Sequence, residues 1–409
     1  MGADLWMIGR IDQFALVAAH NALRNRLVRW DSPIRFCSAL ERRLFARQRP
    51  RRSVAEALDP IPGRHIIPEL MASAVMPLGA GVQHTISDTF LDLLAFANRP
   101  RDYRILHGQQ GYCLASARRA IADGRVFICD LISQLAETRR RNLTDEYAAN
   151  GFEFSDSLVP LLRAQKAALI ADAVFVPSEG TRQSAIEHGV AVERIHVIPY
   201  DSPLAGGLLR VPQAQAGQTP RLRLLYVGLV GIQKGLRVLL EAVHRLRQKI
   251  GEDVTLTIVG PYGAGGAALL AERPDWIRYL GLLRGEKIRD VYFTNDLFVF
   301  PSLSEGCPLV VIEALAAGLP VITTLAGAAV VQDEVDGLIV PPRNSEALAD
   351  AIARLHLDRN RLCAMAQAAR EGALARTQRS YPERVERAYD EVLYRSRYQP
   401  RPEAQAVLS

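Results

Sequence analysis

"PSLSEGCPLVVIEALAAGLPVI", residues 301–322, places two acids, Glu305 and Glu313, with seven residues between them. Glu305 lies in a Ser/Gly/Pro-rich stretch, and Glu313 interrupts an apolar run. The preceding "DLFVF" (296–300) is β-branched and aromatic, which predicts a strand. Pro301 and Gly306 cannot continue a ladder, so a loop follows. Pro308 suits a first helical turn, where its missing N–H costs nothing. Leu309 to Ala317 reads as helix, Gly318 and Pro320 stop it, and "PVITT" begins the next strand. The unit is strand–loop–helix–strand, with the loop facing a helix N-terminus. Its free N–H groups and positive partial charge suit an anion such as phosphate.

The same alternation extends in both directions. Strands are predicted at 5–8, 103–106, 126–129, 173–176 and 194–198, with helical patterns such as 155–172 between them. A loose polar stretch within 202–220 reads as a linker. The pattern then restarts with "LRLLYVG" (222–228), a helix from Lys234 to about Lys249, "VTLTIVG" (254–260), "DLFVF" and "PVITT". Strands alternating with helices imply parallel sheets. The expectation is two Rossmann-like α/β domains facing a cleft: residues 1–202, a linker at 203–220, and residues 221–380. The amphipathic segment 381–399 is expected to dock back on the first domain.

The chain has 409 residues, 49% hydrophobic and 23% charged, which bounds it as globular with two domains. No apolar run reaches the ~18–20 residues of a membrane span. The least polar stretch, 70–82, is short and contains Pro77. Asp4, Arg10 and Asp12 argue against a cleavable leader. Five cysteines without CxxC spacing point to a reducing cytoplasm and away from structural zinc. The net charge of +6 does not indicate nucleic acid.

The strand ending at Gly228 runs into "VGLVGIQKG", where Gly228, Gly231 and Gly235 permit close backbone approach. Lys234, at the opening of the next helix, is placed to neutralise a diphosphate. Together with residues 301–322 this stretch resembles the donor-site signature of glycosyltransferase family 4, a retaining group with the GT-B fold. Glu305 and Glu313 match that family's E-x7-E motif, and residues 178–200 and 336–352 match further pieces. The likeness is strong over roughly 173–375 and weak over 1–170.

The resemblance implies roles. Glu313 would bind the ribose hydroxyls of a nucleotide, and Glu305 would lie near the donor sugar. Lys234 and the loop Ser304, Gly306, Cys307, Pro308 and Leu309 would hold the diphosphate and stabilise the charge of the departing nucleoside diphosphate. Such groups can replace a metal, and the sequence has no DxD-like cluster for Mg²⁺. No metal and no cofactor beyond the nucleotide-sugar substrate is therefore expected. The family usually carries an arginine after the first glycine, where this chain has Leu229; Lys234 and Arg237 are the nearest basic alternatives.

In the first domain the family places donor and acceptor contacts at the loop holding Gly9 and Arg10. The catalytic candidates there are His107, at the carboxyl end of its strand, and Asp130, ending the strand after which many members carry a histidine. The activity implied is retaining sugar transfer from a nucleoside-diphosphate sugar to a glycan or polyprenyl-linked acceptor, in bacterial surface polysaccharide synthesis. A noncatalytic GT-B partner and a GT-B sugar-nucleotide epimerase are the alternatives. "RFCSALERRLFARQRPRR" (35–52) reads either as a basic amphipathic helix resting on an anionic membrane or as a solvated basic face.

Overall fold

The computed structural model describes residues 5–8, 27–31, 80–155, 158–212, 221–251 and 253–398. Gly9, Arg10 and the basic segment 35–52 lie outside them.

The first sheet contains β1 (Leu5–Ile8), β2 (Leu27–Asp31), β3 (Ile105–Gln109), β4 (Val126–Asp130), β5 (Ala173–Val176) and β6 (Ile195–Val197), in the order β2-β1-β3-β4-β5-β6. The second contains β7 (Leu222–Val227), β8 (Val254–Val259), β9 (Ile277–Tyr279), β10 (Leu297–Phe300), β11 (Val321–Thr323) and β12 (Gly337–Ile339), in the order β12-β11-β10-β7-β8-β9. All pairings among these described strands are parallel. Parallel strands are covered on both faces, so they read as continuous apolar runs; "LFVF" of β10 is buried at every position.

The order of the second sheet reverses between β7 and β10. Loops leaving the carboxyl ends of two such strands diverge and open a crevice between them, the usual ligand position in open α/β sheets. They are the loops carrying Lys234 and Glu305. The helix Leu309–Ala317 begins at the expected place and stops at Gly318, whose φ of 83° is the left-handed stop.

Three local expectations need correction. Lys234 does not open a helix. It closes a 3₁₀ turn (Ile232–Lys234), and Gly235, at φ 72°, separates that turn from the helix Leu236–Ile250. A β-carbon at Gly235 would sit 2.0 Å from the Pro301 carbonyl oxygen, so only glycine lets the two loops approach. The segment after Ser202 is not loose throughout. Ala205–Leu209 is helical, and Arg370 donates to the carbonyls of Leu208, Leu209 and Val211, tying it to the second domain. Strands β2, β9 and β12 are additions to the expected set: β9 and β12 have three residues each, and the five of β2 include Arg29 and Asp31, which break an apolar run.

The helix Tyr381–Tyr398 packs on the first sheet. Its Tyr389 is fully buried, stacks on Phe175 of β5 at 5.9 Å, and meets His107 of β3.

Candidate functional site

The two crevice loops are zipped together before any ligand is considered. Leu303 N–H donates to the Gln233 carbonyl at 3.0 Å, and Gln233 Nε2 donates to the Ser304 carbonyl at 3.2 Å. Thr324 Oγ1 donates to the Ser302 carbonyl at 2.5 Å. This framework brings Lys234 Nζ to 2.5 Å from Glu305 Oε1, which also accepts from Ser302 Oγ at 2.8 Å. Both charged side chains are mostly covered, which strengthens their attraction over that of a surface pair.

Beside them, the helix Leu309–Ala317 starts at Pro308 with no side-chain cap, leaving its first amides for another acceptor. Ser304 Oγ is buried and has no hydrogen-bond partner among the described residues. A cation, orphan amides and an orphan hydroxyl thus converge on one end of the second sheet. Burial pushes the Cys307 thiol up to about 12, so it stays protonated and unreactive at neutral pH.

Glu313 lies one helical turn further in. Its Oε1 accepts from Ser202 Oγ at 2.6 Å and its Oε2 from Tyr292 OH at 2.8 Å. Desolvation raises its pKa, with those two hydrogen bonds acting in the opposite direction. Each carboxylate oxygen keeps a second acceptor position, so both can still receive ligand hydroxyls.

The loop also touches the first domain. The Gly306 carbonyl accepts from Ser178 Oγ at 2.6 Å and Thr181 Oγ1 at 3.4 Å. Asn142 Nδ2 donates to the Leu303 carbonyl at 3.1 Å. A β-carbon on Gly306 would fall 1.8 Å from the Ile132 carbonyl oxygen. Arg237 is held by Glu146 of the first domain through two bonds of 2.8 and 2.7 Å, and by Glu241 at 2.5 Å. It therefore serves as an interdomain clamp and is not left for a phosphate, which corrects the expectation drawn from its position. Leu229 is 42% exposed and offers no charge.

At the carboxyl ends of the first sheet's strands the structure buries both candidates, side by side. His107 is 0% exposed, its Nδ1 2.6 Å from Tyr389 OH, with Phe175 against its ring. Burial lowers its pKa to about 3, so the ring is neutral, and it does not reach the cleft surface. Asp130 ends β4, 3% exposed, with Oδ2 3.9 Å from His107 Nε2. Desolvation pushes its pKa up to about 7.

Ser178, Ser202, Tyr292 and Ser302 were not singled out from sequence. Only Ser178 carried a signal: it caps the helix Glu179–Glu187 by accepting from Thr181 N–H, a role serine favours. Among the described residues no three His, Cys, Asp or Glu side chains cluster as metal ligands, and no helix is long and apolar enough to cross a membrane.

Residues 221–358 match the family model described as glycosyl transferases group 1. A D-inositol 3-phosphate glycosyltransferase of Salinispora arenicola is 31% identical over 221 residues, covering 48% of this chain and 46% of the relative. The sulfoquinovosyl transferase SQD2 of Arabidopsis thaliana is 32% identical over 111 residues, 27% of this chain and 21% of the relative. The chain thus spans less than half the length of these curated relatives. Among solved structures, HepE of Anabaena in complex with UDP superposes with a TM-score of 0.60 at 18% identity, covering 96% of this chain and 99% of that one. Sucrose-phosphate synthase from Thermosynechococcus elongatus gives 0.57 at 18%, with the same coverages. At these identities the likeness is one of fold, the GT-B arrangement of two parallel-sheet domains.

Proposed function

We propose that the chain is a glycosyltransferase that moves a sugar from a nucleoside-diphosphate sugar to a hydroxyl of a glycan or polyprenyl-linked acceptor. The transfer is retaining and needs no metal, and its setting is bacterial surface polysaccharide synthesis at the inner face of the cytoplasmic membrane. The observation that carries this reading is the Lys234–Glu305 pair, set at the sheet's switch point beside the uncapped helix at Pro308.

As the bond from the sugar to the diphosphate breaks, negative charge builds on the phosphate oxygens. Lys234, the amides following Pro308 and the Ser304 hydroxyl stabilise that charge in a partly dehydrated site. Diphosphate entry shares the Lys234 ammonium, and Glu305 is then held by Ser302 beside the sugar. Glu313 accepts the ribose hydroxyls alongside Ser202 and Tyr292. Asp130, buried at the cleft end of β4, lies beneath the acceptor and not against it, and His107 beside it holds the helix Tyr381–Tyr398. In this reading Gly9, Arg10 and Gly228 border the donor.

The test is release of nucleoside diphosphate from a panel of UDP- and GDP-sugars, with and without polyprenyl-linked saccharides. Acceptor-dependent release supports the reading. A panel in which no nucleotide raises the melting temperature and no donor is consumed overturns it. The exposed Leu229 favours one second reading, a noncatalytic binding partner. It predicts stabilisation by nucleotide without release.

A further inference from the structure

The sequence "NRPRDYR" (98–104) lies between the helix Ala80–Ala97 and β3, and Arg125 immediately precedes β4. Both segments sit at the amino ends of their strands. The cleft lies at the carboxyl ends, where Gln109 and Asp130 are found, roughly 20 Å away along β3 at the usual rise per residue. Whatever binds at this end is separate from the donor site.

There the chain forms a cavity of about 620 Å³ lined by Arg99, Arg101, Tyr103, Asp123 and Arg125, among others. Its charge is one-sided. Among the described residues Asp123 is the only carboxylate lining it, and Arg119 engages that group through two bonds of 2.9 and 2.6 Å. Arg99 and Arg101 have no carboxylate partner among the described residues. Arg99 donates to the Phe96 carbonyl at 3.1 Å, which orients it without neutralising it. Arg125 lies 5.3 Å above the Tyr103 ring and donates to the Arg101 carbonyl at 3.4 Å, which ties the two segments together.

Tyr103 is the second, independent sign. Its side chain is 2% exposed, its ring packs edge-on against Trp6 at 5.1 Å, and its hydroxyl is buried with no hydrogen-bond partner among the described residues. Buried hydroxyls are normally satisfied, so an orphan one marks a place where something else binds. The charged groups acting on that hydroxyl are Asp123, Arg125, Arg99 and Arg119, three of which line the cavity. The hydroxyl therefore belongs to the cavity wall. As a donor surrounded by guanidinium groups, it asks for an anionic acceptor. Guanidinium forks match the paired oxygens of a phosphate better than a point charge does.

We propose that this cavity is a second, noncatalytic binding site for a phosphate ester or diphosphate, gripped by Arg99, Arg101 and Arg125 and hydrogen-bonded by Tyr103. The same phosphate chemistry is offered by a soluble metabolite and by a lipid headgroup.

Calorimetric titration of the whole chain tests it with two probes, inorganic pyrophosphate and dioctanoyl phosphatidate, a lipid short enough to remain dissolved. All titrations are made in the Lys234→Ala background, which suppresses binding at the donor loops. Binding should persist there and weaken at least tenfold on adding Arg99→Ala and Arg101→Ala. Tyr103→Phe should weaken it roughly threefold to tenfold, the loss of one hydrogen bond. The same variant without anion should melt no lower than its parent, because it removes an unpaired buried hydroxyl. That combination separates a ligand contact from a structural one. Preference for phosphatidate identifies a lipid source and preference for pyrophosphate a soluble one, and either supports the site. If neither probe binds in the Lys234→Ala background, or binding is unchanged by the arginine substitutions, the proposal is overturned.

Discussion

Lys234 Nζ and Glu305 Oε1 lie 2.5 Å apart across the two loops of the second sheet's switch point, with the side chains 17% and 12% exposed. The contact joins the only lysine of one loop to the only carboxylate of the other. A phosphate entering between them meets a cation already oriented by its partner, and that preorganisation lowers the cost of ordering the site on binding.

Replacing Lys234 with alanine leaves both the diphosphate and Glu305 without their cation. Donor affinity should fall by about 2–3 kcal/mol, the scale of a charge-assisted hydrogen bond. Calorimetry with the accepted nucleotide sugar checks this, and unchanged affinity removes Lys234 from the donor site.

The two glutamates should separate kinetically. Ribose contacts act alike on the ground and transition states, so Glu313→Gln should chiefly raise KM. Glu305→Gln should chiefly lower kcat, because a group beside the reacting carbon acts differentially. Identical changes in both parameters for both variants contradict the division of roles.

Asp130 and His107 give opposite pH dependences. The folded-state pKa of Asp130, about 7, lies above its ordinary value of 3.8. Between those values the folded chain holds a proton that the unfolded chain has lost, so this group's contribution to stability falls as pH rises from about 4 to about 7. His107, about 3 against 6.5, loses its contribution as pH falls through that lower window. Asp130→Asn removes only the first effect. Relative to the parent it should gain stability between pH 4 and pH 8, on the order of a few kcal/mol. Urea unfolding at pH 4, 6 and 8 measures it, and a flat difference would show an ordinary carboxyl.

Gly306 is the tightest point between the domains. Because a β-carbon there would sit 1.8 Å from the Ile132 carbonyl oxygen, Gly306→Ala must push the donor loop away from the first domain. We expect kcat/KM to drop by about a hundredfold, the usual penalty for an ångström-scale misplacement. Affinity for the accepted nucleotide should change far less, since the proposed reading puts its contacts in the second domain. Equal losses in both would place the glycine's role in the nucleotide pocket.

The arginines of residues 35–48 predict reversible binding to anionic liposomes, with about 1 kcal/mol from each basic residue near the surface. Sedimentation should fall with salt and disappear when Arg42, Arg43 and Arg47 become Glu. A chain that never pellets at low salt turns attention to a soluble acceptor.

The features legible in the sequence are those set by neighbours along the chain. Apolar runs between turn residues located most of the long strands, and Pro308 and Gly318 bracketed the helix carrying Glu313. The sequence puts Lys234 at a helix start because nothing in "GIQKGL" distinguishes a 3₁₀ turn from the first turn of an α-helix. That distinction rests on Gly235 meeting Pro301, 66 positions further along the chain. His107 looked like a cleft residue by the strand-end rule, and its burial depends on Tyr389, 282 positions later. Ser202 and Tyr292 were invisible for the same reason, since they approach Glu313 only once separate segments have packed.

The helix Tyr381–Tyr398 gives the first domain an unusual order of assembly. Its Tyr389 fills the space between His107 and Phe175, its first amide donates to Asp201, and Arg395 reaches the Glu193 carbonyl. A ribosome delivers β1 first and this helix after both sheets, so the domain made earliest waits longest for its missing wall. The second domain, continuous from β7 to Arg376, has all its strands in hand well before then. Translation therefore lets the second domain close while the first still lacks the Tyr389 cover over His107 and Phe175. A stop codon near residue 380 would remove Tyr389 and leave His107 and Phe175 without that cover in the released protein.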